Sequence, residues 1–417
     1  MDITQQFFPL LKFNTKGMIK KINIKGVLLL VLISNFGLLF AQESEAVWRY
    51  QTGGRVYSSP AIAGEKVIIG SSDSCLYAFD KADGKVLWKF KTEGAVHSSP
   101  AVNDAYVFFS STDGNLYAVD HNTGSFKWKF SSNGEKAKDI WDYYLSSPKL
   151  AKGLVFWGSA DSSLYAVEQS TGVLKWKFKA EDIIHATPEI DGDTLYIGDF
   201  NGNLFVLNIN DGKLIWSFRT VGDRYFPKGE IQKGVSVDDN SVYFGSRDYN
   251  IYAVNKRTGR GVWNLKEGSW VISTPSIHKK MIFYGTSDTH EFVCLDKFSG
   301  KKLWKVALPM RVYSSAVVID DFVYFGCFDG ILRGADVNTG EIMYEYQTRG
   351  SRENYSKVFG SDGKFKPGFE LYGNDYLESE RLIHTLGSIL STPAVDKNII
   401  YFGSSDGGVY AAKVITK

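Results

Sequence analysis

One stretch is written eight times along this chain, and that repetition limits the possible folds more than any other feature. Its first full copy runs from Ser58-Ser59-Pro60 through Lys66–Asp73 and Leu76–Asp80 to Asp83-Gly84 and Trp88. Further copies start at Ser98-Ser99-Pro100, Ser146-Ser147-Pro148, Ala186-Thr187-Pro188, Lys233-Gly234-Val235, Ser273-Thr274-Pro275, Ser314-Ser315-Ala316 and Ser391-Thr392-Pro393. A period near 40 residues marks a supersecondary unit that cannot bury itself alone.

Within a copy, runs such as Val67-Ile68-Ile69, Leu76-Tyr77-Ala78-Phe79 and Val86-Leu87-Trp88 are β-branched and aromatic, with turn residues between them. They read as strands. Asp113-Gly114 and Asp329-Gly330 have the chemistry of a tight hairpin, and Asn122-Thr123-Gly124 supplies a glycine where a close turn needs positive φ. From the Pro position to the Trp position seven copies span 28, 28, 28, 28, 28, 29 and 28 residues, which leaves no room for an internal helix. The fold class is therefore all-β, and radially arranged four-stranded antiparallel sheets of this length make a propeller.

The eighth copy ends at Lys417 before its tryptophan, whereas Val47-Trp48-Arg49-Tyr50 matches a fourth strand and precedes the first Ser-Ser-Pro by the standard 12 residues. An eight-bladed β-propeller is expected, its last blade closed by the N-terminal strand. The Leu-Tyr-Ala-x-Asp-x-x-Thr-Gly-x-x-x-Trp pattern, as in Leu116–Asp120, Thr123-Gly124 and Trp128, resembles the tryptophan-docking repeat of pyrroloquinoline-quinone (PQQ)-type propellers over residues 46–417. That repeat occurs both in quinoprotein dehydrogenases and in BamB-type outer-membrane assembly scaffolds, so the resemblance implies either a protein-binding role or an alcohol or sugar dehydrogenase. The enzymes of the family typically carry adjacent cysteines over PQQ and calcium. Cys75, Cys294 and Cys327 are not neighbours.

Residues 1–41 read as a cleaved signal peptide: Lys16, Lys20, Lys21 and Lys25 precede the apolar run Gly26–Phe40 and a small-residue site at Ala41-Gln42. The competing reading, an uncleaved anchor, has only 15 apolar residues where a span needs ~20. No cysteine follows the run, so the protein is expected in the periplasm or at the cell surface without a lipid anchor. Removing residues 1–41, with five Lys and one Asp, changes 48 basic and 46 acidic residues to 43 and 45, so no basic surface for nucleic acid is implied. The remaining chain, 42–417, is expected to be one monomeric disc.

From the Trp position to the next Pro position five connections have 12 residues, and three have 20, 19 and 49. The insertions, about 131–144, 220–232 and 347–389, belong to one kind of connection, and alternate turns of a meander fall at one end. They should share a face, and their aromatic residues, including Trp141, Tyr144 and Tyr225, make it the expected site of a protein partner. The competing reading is that these rings pack down on the disc. Asn374-Asp375 followed by Leu377–Leu386 and Gly387 reads as a capped helix, the only one expected in the mature chain. Arg55, Tyr57, His97, His185, Gln232, Trp270, Arg311 and Tyr313 precede the innermost strands and should ring the channel mouth, either holding a small acidic or stacking ligand or serving as ordinary channel lining. No catalytic triad, zinc spacing or phosphate loop is legible, so no catalytic residue, metal or cofactor is assigned; PQQ with calcium belongs to the dehydrogenase alternative only.

Overall fold

The computed structural model describes residues 46–416. The alternating runs form eight four-stranded antiparallel sheets. In the first complete blade Ala61–Ala63, Lys66–Ser71, Cys75–Asp80 and Val86–Lys91 pair in sequence order. In the closing blade Ala46–Gln51 pairs with Gly408–Lys413, with Trp48 opposite Ala411. The first and last strands of the described chain are thus hydrogen-bonded into one sheet. The proposed signal peptide lies outside the described residues.

Each third-to-fourth strand pair carries a register shift beside its tryptophan, or beside Tyr344 in the blade that lacks one, as between Ala78 and Phe79 opposite Trp88 and Val86. A bulge of this kind adds one residue to the outer strand and re-aims the side chain next to it. The indole leaves its own blade and its Nε1 donates to a turn carbonyl of the next: Trp48 to Lys81, Trp88 to His121, and so on to Trp304 and Val337. Tyr344 takes the last place, its hydroxyl donating to the carbonyl of Lys413. Because the indole lies flat on the turn, there is no room for a side chain there. A Cβ on Gly124, where φ is +69°, would stand 2.6 Å from the Trp88 ring.

The core accordingly lies between blades. Ile68, Leu76, Ala78 and Trp88 of one blade pack against Val107, Phe109, Tyr117 and Val119 of its neighbour. The recurring turn aspartates are structural: Asp73 accepts from the backbone of Gly53 and Cys75 and from the Tyr77 hydroxyl, tying a hairpin to the preceding connection. All three cysteines are free and buried, so Cys294 and Cys327 do not pair.

The expected helix is present as Tyr376–Thr385, capped by the Asp375 carboxylate accepting from Glu378 N. A second helix, Arg349–Val358, corrects the expectation of only one. Its sequence has Gly350 and Ser351 in the first turn, poor helix formers, and the disc supplies what they lack. Thr348 caps it, Gly350 N donates to Asp406, and Arg349 N donates to the Tyr410 hydroxyl. We label these helices α1 (Arg349–Val358) and α2 (Tyr376–Thr385).

Candidate functional site

The three insertions meet over the channel mouth, and one carboxylate of the third holds the first insertion and the disc together there. Glu380, on the buried side of α2, accepts from Trp141 Nε1 and Tyr143 OH, each at 3.1 Å, and is paired with the Arg311 guanidinium. Arg311 is only 1% exposed, so removing its counter-ion would strand a charge among the rings of Tyr313 and Phe328. Arg311 and Trp141, both named from the sequence, are brought together at this carboxylate, whereas Glu380 itself was not named. One acidic residue among several on a short helix has no local mark of burial; a position one turn before Ile383 and His384 was the available signal.

A second network ties the first insertion to the second. His185 is 1% exposed, with Nδ1 2.9 Å from Asp142 and Nε2 3.2 Å from Glu135. Burial pulls its pKa down, but the two carboxylates prevail and hold it at about 9, so the imidazolium stays charged near neutrality. Gln232 donates to the Trp141 carbonyl and accepts from Arg247 Nε, while Arg247 is forked onto Asp139 and lies over the Trp270 ring. The three insertion acids and Arg247 were not foreseen, because their partners are remote in sequence.

The anticipated mouth residues therefore come together, but largely through contacts with one another. Tyr57 packs against His97, Tyr143 and His384, and Tyr313 packs on Phe328. Tyr144 donates to the carbonyls of Tyr313 and Leu390. Arg55 lies exposed at the rim with its guanidinium bonded to Tyr57 OH, and Tyr225 projects outward at 71% exposure. Together Tyr143, Tyr144 and α2 form a plug. Below it lies a cavity of about 370 Å³ lined by His97, Tyr144, His185 and the Ser/Thr positions that start the inner strands.

The aromatic contacts also define an outer surface. Phe226 meets Trp270, Trp270 meets Trp141, and Trp141 meets Tyr376, a row of rings crossing all three insertions. Beside that row Ile140, Tyr225, Tyr376 and Leu377 are exposed, Leu377 by 57%. Among the described residues no helix is long and apolar enough to cross a membrane.

An eight-bladed ring with tryptophan-docked blades and a plugged, insertion-bearing mouth defines the class: a PQQ-like repeat propeller. The family model described as "Outer membrane protein assembly factor BamB" matches residues 25–99, 76–225 and 219–361, and the chain belongs to that family. BamB from Moraxella catarrhalis has a similar structure, with TM-score 0.67 and 16% identity, covering 89% of this chain and 99% of that one. Quinohemoprotein alcohol dehydrogenase from Comamonas testosteroni is as similar in shape, with TM-score 0.67 and 13% identity over 90% of this chain and 77% of that one. In sequence, 85 residues are 25% identical to the lanthanide-dependent methanol dehydrogenase of Methylacidiphilum fumariolicum (strain SolV), 19% of this chain and 14% of that protein. The chain thus matches only a small part of that curated relative. At these identities the solved structures establish the fold.

Proposed function

We propose that this protein is a non-catalytic scaffold of the cell envelope that holds a protein partner against its insertion-bearing face and serves outer-membrane protein assembly. The observation that carries this reading is the surface built by the three insertions: a rigid row of packed rings with Ile140, Tyr225, Tyr376 and Leu377 left exposed beside it. Apolar groups clustered on one face of a rigid support are the usual mark of a protein contact. Outer-membrane protein assembly, the role the family is described by, is consistent with such a face. The reading also takes the protein to be exported, monomeric and without a lipid anchor.

The dehydrogenase alternative asks the mouth to hold PQQ with calcium, and the residues there do not fit that group. Tyr143, Tyr144 and Glu380 fill the space, and the three cysteines are separate and buried.

Two measurements test the proposal. A host lacking the protein is complemented with wild type or with the combined variant Ile140→Ser, Tyr225→Ser, Leu377→Ser, and outer-membrane β-barrel protein levels are followed. Restoration by wild type and at least a fivefold deficit with a folded variant are expected; equal restoration would remove this face from the function. Purified protein is also titrated with PQQ and calcium in a dye-coupled assay on mixed alcohols and sugars, where stoichiometric binding with turnover would overturn the scaffold reading.

A further inference from the structure

The cavity beneath the plug has its own chemistry, set by a departure from the repeat. At the first position of the Ser-Ser-Pro motif most copies place a serine whose hydroxyl accepts an inner-strand N–H, as Ser58 does from Gly70 and Ser391 from Gly403. The fifth copy has Lys233 instead. Its amine donates to the Tyr313 carbonyl at 3.0 Å, lies 4.4 Å from the Tyr144 ring centroid, and lines the cavity. No carboxylate is paired with it among the described residues.

The second motif position supplies a belt of hydroxyls. Ser59 Oγ accepts from Thr392 N, Ser99 Oγ from Ser59 N, Ser147 Oγ from Ser99 N and Thr187 Oγ1 from Ser147 N, blade after blade. An oxygen that accepts from one side keeps its own proton to give, and none of these four donates to a protein acceptor among the described residues. Ser315, 7% exposed and two residues beyond the carbonyl that Lys233 binds, has no partner for its hydroxyl among the described residues. The one carboxylate in the lining, Glu189, is engaged by Lys149 at 2.7 Å. Leu145, Val235, Pro275 and Ala316 add apolar surface to the wall, beside Ser236 and Ser276, whose hydroxyls are spent on the Pro275 and Ala316 carbonyls, and Thr274 and Thr392.

We propose that this central cavity is a receptor for a small organic carboxylate, with the Lys233 ammonium and the hydroxyls of the belt on the carboxylate and the apolar wall around its body. An unpaired ammonium with surplus O–H donors in a cavity is completed by a ligand that brings negative charge and acceptors and needs no donor of its own. Burial depresses the Lys233 pKa to about 7, so the bare site holds a proton that a bound anion would retain more firmly. The other titrating groups facing the cavity keep their charge state through that range. Burial holds His97 neutral at about 4, His185 stays protonated between its two acids, and burial raises the Tyr144 and Tyr313 phenols.

The test uses the purified protein, with benzoate as the probe, benzamide as its neutral counterpart and inorganic phosphate as the non-carboxylate anion. Saturable benzoate binding is expected by calorimetry at pH 6, weakening about tenfold by pH 8, where His185 is still largely protonated, with benzamide silent and phosphate at least tenfold weaker than benzoate. Lys233→Met should abolish binding and Ser315→Ala weaken it severalfold. Because Lys233→Met also alters the interior, the amine is followed in unaltered protein by carbon NMR of labelled lysine, where benzoate should raise its titration midpoint by about one pH unit or more. Absence of saturable benzoate binding, equal binding of benzamide, tighter binding of phosphate, or an unmoved lysine midpoint would each overturn the assignment. None of these outcomes bears on the insertion face, so the partner proposal stands or falls separately.

Discussion

At the scale of the residue, the plug is governed by charges that have left water and must therefore be matched. His185 shows the consequence for stability. Its pKa in the fold is raised to about 9 against 6.5 when unfolded, so its contribution is complete below pH 6.5 and is lost as pH rises through about 9. Substituting His185→Gln should open a stability gap to wild type that narrows by about 3 kcal/mol across that interval, measured as urea unfolding at a series of pH values. A gap that stays constant would mean the imidazole is neutral in the fold. Lys233 titrates in the opposite sense, which is why the difference between the two proteins is the informative quantity.

At the scale of the element, two devices recur or fail to recur with instructive results. The docking of indole on glycine recurs, and it makes Gly124→Ala costly twice over, through positive φ and through the Trp88 ring. Gly64 has φ +58° with open space around it, so Gly64→Ala isolates the backbone part. The expected losses are about 3 kcal/mol for the first and about 1 kcal/mol for the second, read from thermal or urea midpoints; equal losses would show that the ring contact adds nothing. Helix α2, which occurs once, acts through Glu380. Replacing it by Gln preserves shape but leaves Arg311 buried without a counter-ion, a loss of about 3 kcal/mol. Adding Arg311→Met should recover part of that loss in a double-mutant cycle, and simple additivity would deny the coupling.

At the scale of the molecule, stability depends on closure. Ala46–Gln51 completes the blade that also contains Ala394–Asp396, and Trp48 Nε1 docks on Lys81 of the first blade, so one short strand joins first and last. Removing residues 46–51 should leave Gly408–Lys413 as an open edge with rapid amide exchange and should lower and broaden the urea transition. Protection of those amides equal to that in the intact protein would show that the ring does not need its clasp.

The repeat by itself determined eight blades, their strand order, the N-terminal clasp, the tryptophan positions and the common face of the insertions, because each follows from spacing and alternation that local physics enforces. Even the helix over residues 376–385 announced itself through Asp375 and Gly387. Helix α1 did not, since its cap is local but Asp406 and Tyr410 come from another blade. Nor did Glu380, the carboxylates around His185 or the solitary amine of Lys233 in its cavity. Those features depend on which side chains meet once the ring has closed and excluded water, and partners brought together from the far sides of a circle leave no trace in the order of residues along it.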